Sequence, residues 1–359
     1  MQGGAWLDFR AVEACMRPLV FQVLRALSPQ YFVSGAKLAS VLGVSRSAIS
    51  DALMQASAHG VNIFKVTRRG YRLAEPLDLL DIEVARRHLG DIAHRFDIHI
   101  VETIESTNSE LTKQAAAGAP GGTCIAAEIQ TRGRGRRGRE WKSALATSLT
   151  FSLLWRFDRG AAQLGGLSLA VGLAIVRALR LMGANKVALK WPNDIVLDGK
   201  KLGGVLIESQ GDMLGPSAVV IGIGLNVRLP AALIAELDQP VVNLQSQLAG
   251  SISRSALLAA ILQEQVSVLE QFGKAGFAAL HDEWIACHSL HERPIRVIRD
   301  NGDGFDAVVR DVAADGSLIV DSAAGRMLLS SGEISVREAS MFMNAGAATN
   351  DARSQVTRP

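Results

Sequence analysis

Apolar positions at Leu19, Val20, Val23, Leu24 and Leu27 recur every three or four residues, the spacing of one helical face, and stop near Ser28-Pro29. This predicts a first helix. A second is predicted over Lys37 to Leu42, opened by Ser34-Gly35, and a third from Arg46 to about Ser57 with Ile49 and Leu53 on one face. Between the second and third, Gly43 can turn the chain and Ser45 can cap the third helix. Two short helices joined across a glycine describe a helix-turn-helix. The runs Val61 to Val66 and Tyr71 to Leu73 then read as two strands around the basic turn Thr67-Arg68-Arg69-Gly70, which adds a wing. The unit is expected to bind DNA, with Gly35, Lys37, Ser45, Arg46, Ser47 and Ser50 on the helices and Arg68, Arg69 and Arg72 on the hairpin. A helical packing module competes with it, because Asp51 offsets Arg46 on the third helix.

The pattern then changes to alternating strands and helices. Residues 77–97 read as helical, Ile98 to Val101 as a strand, and Ser106-Thr107-Asn108 opens a helix with Leu111 and Ala115 on one face. Strands are predicted over Thr123 to Gln130, through Leu149, Phe151 and Leu153, and over Ala218 to Gly224, with Asn226 just beyond. Leu164 to Met182 is apolar on nearly every side and so predicts a buried helix. Asp198-Gly199 between apolar runs signals a hairpin, returning through Lys201 to Ile207. Ser253 can cap a helix carrying Leu257, Leu258, Ile261 and Leu269, and Phe277 to Cys287 reads as a shorter one. From His291, short strands at Pro294 to Arg299, Phe305 to Val312, Leu318 to Val320 and Arg326 to Leu329 alternate with glycine turns, describing a small barrel. The expected organisation is a loose lead-in (1–17), a winged helix-turn-helix (18–76), a mixed α/β domain (77–290), the small barrel (291–339) and a disordered tail (340–359).

With 48% hydrophobic and 20% charged residues and a net charge of +3, the chain falls among ordinary globular proteins, so any nucleic-acid argument rests on where the basic residues sit. Cys15, Cys124 and Cys287 have no C-x-x-C spacing, which argues against a cysteine metal site or redox pair and fits a reducing compartment. Asp8, Arg10 and Glu13 fall where a signal peptide needs an apolar core, and the uncharged stretch 160–176 is broken by Gln163, glycine and serine. A cytoplasmic protein is expected.

The densest chemistry lies in Thr131-Arg132-Gly133-Arg134-Gly135-Arg136-Arg137-Gly138-Arg139-Glu140-Trp141, where arginines alternate with glycines. Glycine supplies accessible N–H groups and arginine bidentate charge, a combination suited to a carboxylate or nucleotide phosphate. A solvated basic loop or a nucleic-acid-binding segment remains open on this stretch alone. Ser106, Thr107 and Asn108 can cap a helix or turn their polar groups onto a ligand. Lys200 and Lys201 are neighbours on a strand, so they cannot both enter one pocket.

Gly133 to Gly138 ending at Trp141, Lys190-Trp191-Pro192-Asn193-Asp194 and Gly222-Ile223-Gly224-Leu225-Asn226, in that order, resemble the biotin protein ligase family. Ser106-Thr107-Asn108 and Gly332-Glu333-Ile334-Ser335 match as well. With a winged helix in front, the likeness is to the bifunctional ligase and biotin-operon repressor, and runs from about Leu19 to Arg337. The resemblance implies a central ligase fold of the biotin/lipoate and class II synthetase type and an SH3-like C-terminal barrel. It also implies ATP with Mg²⁺, biotin, a biotinyl-5′-adenylate intermediate, transfer to a lysine of the biotin carboxyl carrier protein, and an adenylate-dependent homodimer on operator DNA.

Carried over residue by residue, the likeness assigns Ser106, Thr107, Asn108, Gln130, Arg134, Gly135, Arg136 and Lys201 to biotin. It assigns Arg136, Arg137, Trp141, Asn193, Asn226 and Arg337 to the nucleotide. Arg134, Arg136, Lys201 and Asp194 are the implied catalytic set, Lys201 bridging carboxylate and α-phosphate and Asp194 activating the lysine or associating with metal, with pinning of the strand end as its structural alternative. Asp51 and Ala52 depart from the basic residues usual in the recognition helix, which bears on operator affinity. A lipoate ligase, a non-catalytic biotin sensor and a ligase whose first domain no longer reads DNA are the alternatives.

Overall fold

In a computed structural model that describes residues 16–211, 215–248, 250–299, 302–330 and 334–338, the chain builds sheets of two, seven and five strands. Most of the expected lead-in, Cys15, Gly332-Glu333 and the expected tail lie outside the described residues. Helix α1 (Pro18–Arg25) starts on a proline, whose missing N–H costs nothing at that position. Helices α2 (Gly35–Leu42) and α3 (Arg46–Ala58) are capped by Ser34 and Ser45, whose hydroxyls accept the Lys37 and Ala48 N–H groups at 3.1 Å. The wing is the antiparallel pair β1 (Ile63–Val66) and β2 (Gly70–Leu73).

The core of this unit, with Phe21, Leu24, Leu38, Ile49 and Leu53 inside it, also takes in Ile129 and Leu145 from the α/β segment that follows. An Arg25–Glu102 ion pair at 3.8 Å spans the same junction.

The expected helix over 77–97 is shorter, α4 (Ile82–Leu89) followed by one 3₁₀ stretch, because Asp81 caps it and residues 78–81 are held elsewhere. Beyond it come β3 (Asp97–Ile104), α5 (Thr107–Ala116), β4 (Thr123–Gln130), β5 (Ser148–Phe157), α6 (Leu167–Leu181), β6 (Val187–Lys190), β7 (Asp194–Leu197), β8 (Lys200–Gly211), β9 (Ser217–Asn226), α7 (Ala231–Ala235), α8 (Arg254–Ala275) and α9 (His281–Cys287). The seven strands lie in the order β3-β4-β5-β9-β8-β7-β6, parallel only between β3 and β4. Helix α5 covers one face through Leu111 and Ala115, and α6 and α8 cover the other. Asn226 is the last residue of β9 rather than beyond it.

What holds residues 78–81 is an ion pair in the core. Arg254, at the start of α8, is 0% exposed; its guanidinium donates to Glu128 of β4 at 2.6 Å, to the Ser148 carbonyl at 2.9 Å and to the Asp78 carbonyl. Glu128 in turn accepts the Leu80 N–H, and Asp78 accepts the Arg254 N–H at 2.7 Å. The segment leaving the winged helix is thus fixed to the seven-stranded sheet by charge-assisted bonds, of which the Arg254–Glu128 pair is fully buried.

The last strands, β10 (Pro294–Arg299), β11 (Gly304–Val312), β12 (Leu318–Ser322), β13 (Gly325–Leu329) and β14 (Ile334–Glu338), form one antiparallel sheet in the order β13-β12-β11-β10-β14. The expected barrel is an open sheet, since β13 and β14 are its two edges. Its apolar face, with Ile295, Val297, Val309 and Val320 buried, is covered by joining the main core instead of by closing on itself. Among the described residues no helix is long and apolar enough to cross a membrane.

Candidate active site

Two cavities open side by side on the seven-stranded sheet and share part of their lining. The first has a polar wall of Ser106, Thr107, Asn108 and Gln130, a floor of Phe151, Gly204, Gly222 and Gly224, and the arginine loop above it. The second is cationic, lined by Arg136, Arg137, Arg139, Lys190, Lys201 and Arg337 with Asp194 and Asp238. Arg136, Arg139, Asn193, Lys201 and Gln239 line both.

Ser106 caps α5, accepting the Ser109 N–H at 3.4 Å, so capping and pocket lining coexist in this triplet. Thr107 gives its backbone N–H to Gln130 at 2.8 Å, and Asn108 gives its amide to Glu208 at 2.9 Å. The two glycines of Gly222-Ile223-Gly224 leave space for neighbouring side chains. A Cβ on Gly222 would stand 2.1 Å from Asn108 Oδ1, and one on Gly224 would stand 2.5 Å from the Trp141 ring. Both point to the same face of β9, as alternate residues must.

The arginine loop folds back on itself, Gly135 N–H donating to the Arg139 carbonyl at 2.7 Å and Trp141 N–H to Gly133 at 2.8 Å. Its cations are aimed by specific partners. Arg134 pairs with Glu208 at 2.9 Å and reaches Ser109 at 3.3 Å; Arg136 donates to Asn193 Oδ1 at 3.1 Å. Burial pulls the Arg136 pKa down, countered by the nearby Asp194 carboxylate, yet an arginine keeps its charge throughout the working range.

Lys201 sits between the cavities with Nζ 2.7 Å from Asp194 Oδ1, while Lys200 is exposed, so the strand alternation sends one amine inward. Asp198 and Gly199, at φ 49° and 74°, make the tight turn that sets this register. The Lys201 backbone is pinned by Pro240 and Val242, which accept and donate at 2.9 and 3.0 Å. The Trp191 side of the motif is braced by three elements. His288 Nε2 lies 3.4 Å from the Trp191 N–H, the Gly316 carbonyl accepts the indole N–H at 2.9 Å, and Ser168 donates to the Pro192 carbonyl at 3.1 Å. Burial pushes the His288 pKa down to about 3, so it accepts as a neutral ring.

Of the expected ligand residues, all but Asn226 line one cavity or both. Asn226 is 4% exposed, lines neither, and lies 3.4 Å from the Lys201 carbonyl, bracing the strand instead. Glu208, Arg139 and Gln239 were not singled out from sequence. Arg139 was visible in the arginine run, whereas Glu208 and Gln239 had only ordinary surroundings to mark them. Among the described residues no group of three or more His, Cys, Asp or Glu could hold a metal ion, so Asp194 has no carboxylate cluster around it.

On the winged helix, Lys37, Arg46, Ser47, Arg68 and Arg69 are exposed, Gly35 and Ser50 are partly covered, and Ser45 spends its oxygen on the cap. Arg72 is half-buried, donates to the Pro29 carbonyl at 3.1 Å and lies over the Phe32 and Phe64 rings, so it also holds the wing together. Ala52 is 5% exposed and belongs to the core, so a basic residue there could not reach DNA without leaving the fold.

Residues 100–226 match the biotin/lipoate A/B protein ligase family, and residues 20–72 match an HTH domain. The bifunctional ligase/repressor BirA of Escherichia coli strain K12 is 34% identical over 319 residues, covering 89% of this chain and 97% of that protein. The biotin--[acetyl-CoA-carboxylase] ligase of Paracoccus denitrificans is 32% identical over 234 residues, 64% of this chain and 96% of that one. Among solved structures, a biotin protein ligase from Aquifex aeolicus in complex with biotin and ATP superposes with a TM-score of 0.58 at 25% identity, covering 68% of this chain and 99% of that one.

Proposed function

The chain belongs to the biotin protein ligase family, and from that premise we propose how its two cavities divide the reaction. It is an ATP-dependent biotin ligase: it joins biotin to AMP as biotinyl-5′-adenylate and passes the biotinyl group to a lysine of the biotin carboxyl carrier protein of acetyl-CoA carboxylase. The first cavity takes biotin, with its ureido ring against Thr107, Asn108 and Gln130. The second takes the nucleotide phosphates among Arg136, Arg137 and Arg337, with Trp141 near the adenylate. The observation that carries this is the shared boundary: Arg136 and Lys201 line both cavities.

In the first step a biotin carboxylate oxygen forms a bond to the α-phosphorus and pyrophosphate leaves with the electron pair. Two anions must meet. Two like charges 4 Å apart repel by about 4 kcal/mol at an effective dielectric of about 20, and fixed cations between them offset this without reorganising. Asn193 and Asp194 keep Arg136 and Lys201 aimed there, which supports an orienting role for Asp194. Asp194 and Asp238 are the carboxylates of the second cavity that would help hold a magnesium ion brought in with the nucleotide, which would supply screening of the phosphate charge. In the second step the carrier lysine amine attacks the acyl carbon, loses a proton, and AMP leaves. A cytoplasmic location is part of the same reading, where ATP and the carboxylase subunit would both be met.

Exchange of labelled pyrophosphate into ATP should depend on biotin and should not be supported by lipoate. Exchange with lipoate alone would assign the site to the other branch of the family. Arg136→Gly should still make adenylate but release it at least tenfold faster on the order-of-magnitude scale of one lost charged contact, labelling nearby lysines indiscriminately. Unchanged retention in a release assay contradicts this.

The helix-turn-helix reads operator DNA through α3 and the wing, and the chain acts as a repressor as well as a ligase. Adenylate binding orders the arginine loop and favours a homodimer that presents two winged helices to the half-sites of a palindrome. Contact of Ile129 and Leu145, on either side of that loop, with the winged-helix core supports such coupling. The unit divisions at 76, 290 and 339 are part of the same proposal. A gel-shift titration should show binding that strengthens with biotin plus ATP and weakens with salt; identical curves with and without them would remove the repressor half.

A further inference from the structure

An unbroken series of hydrogen bonds runs from the polar wall of the first cavity to the arginine loop. Gln130 Oε1 accepts the Thr107 N–H at 2.8 Å, Thr107 Oγ1 lies 2.7 Å from Ser152 Oγ, and Ser152 Oγ lies 2.5 Å from Asn108 Oδ1. Asn108 Nδ2 donates to Glu208 Oε2 at 2.9 Å, and Glu208 pairs with Arg134 at 2.9 Å. Thr107, Asn108 and Ser152 are 3%, 4% and 0% exposed, so water does not compete for these groups.

The proton count gives the series a direction. Each hydroxyl has one proton, and an amide oxygen has none. Ser152 therefore shares its proton between Asn108 Oδ1 and Thr107 Oγ1, while Thr107 gives its own to Gln130 Oε1 at 3.1 Å. Thr107 Oγ1 is left with one lone pair to offer the cavity. Reversing the Asn108 amide would set its oxygen against the Glu208 carboxylate, which only accepts, and would take the acceptor away from Ser152. The charge on Glu208 thus decides which way Asn108 faces, and the same carboxylate steers Arg134.

We propose that Glu208 and Ser152 are positioning residues of the ligase. Glu208 holds the Asn108 amide with its oxygen toward Ser152, which keeps the polar wall in one arrangement for the ureido ring, and it ties that wall to the seating of Arg134 over the ligand. Reading the ring and closing the loop then depend on each other. This rests on the assignment of the first cavity to biotin.

The test is a double-mutant cycle on the full chain with Ser152→Ala and Glu208→Gln, reading biotin affinity by calorimetry and adenylate release, with melting curves to show that each variant is folded. Each single variant should weaken biotin by about tenfold, the scale of one buried hydrogen bond. The double variant should also lose about tenfold, well short of the product of the two, because both break one coupled series. Ser152→Ala should speed adenylate release several-fold although Ser152 does not touch the loop. Multiplicative losses in affinity, or Ser152→Ala with unchanged release, would overturn the proposal. If Glu208→Gln does not fold, Asn108→Ala closes the same cycle. Absence of biotin-dependent exchange in the wild type would instead remove the biotin assignment beneath it.

Discussion

Lys201→Met is expected to lower biotin-dependent pyrophosphate exchange by about a thousandfold, at the upper end of what losing one preorganised charge-stabilising donor costs. The amine stands on the boundary of the two cavities, 2.7 Å from Asp194, where the carboxylate and the α-phosphate must meet. Its neighbour cannot replace it. Lys200 is exposed on the opposite side of β8, and bringing it inward would slip the register that the Asp198-Gly199 turn sets. Methionine keeps the packing of the aliphatic stem, so biotin affinity should fall far less than exchange does. Exchange within tenfold of wild type would show that the cation is dispensable.

Glu128→Ala is expected to destabilise the fold by about 3–5 kcal/mol, because it leaves Arg254 charged, fully buried and short of its carboxylate. The Glu128 and Arg254 side chains are 0% and 1% exposed, so solvent does not screen the pair. The Leu80 N–H loses its acceptor as well, and the segment between winged helix and ligase sheet loosens. Chemical denaturation gives the measurement. A Glu128→Leu, Arg254→Met double variant should recover much of the loss, since an apolar pair of similar volume needs no partner. A shift below 1 kcal/mol for Glu128→Ala would mean that Arg254 finds other acceptors.

Much of the fold was legible because its signals are local. Ser34, Gly43 and Ser45 marked the helix-turn-helix, and each occupies the expected cap or turn. Strand β4 ran over the residues its composition indicated. Long-range packing was not legible in the same way. Nothing within 77–97 announced that residues 78–81 are claimed by Arg254, some 170 positions away, although a lone glutamate in the apolar run of β4 was a usable sign that Glu128 needed a buried partner. The open C-terminal sheet was misread as a barrel because strand periodicity tells which face is apolar and not what covers it.

In the candidate site, residue types were legible and partners were not. The glycines at 222 and 224 stood out in sequence, but their use, making room for Asn108 and Trp141, depends on α5 and the arginine loop coming together over β9. The charge of Arg72 is visible in the sequence, whereas its bond to the Pro29 carbonyl is not.

The most direct measurement is a crystal structure of the chain with biotinyl-5′-adenylate. Nitrogen atoms of Arg136 and Lys201 should stand about 3 Å from the oxygens of the acyl-phosphate linkage, with Thr107 and Gln130 at the ureido ring. An adenylate bound elsewhere, with the guanidinium groups of Arg134 and Arg136 turned to bulk solvent, would contradict the shared cationic boundary on which the mechanism rests.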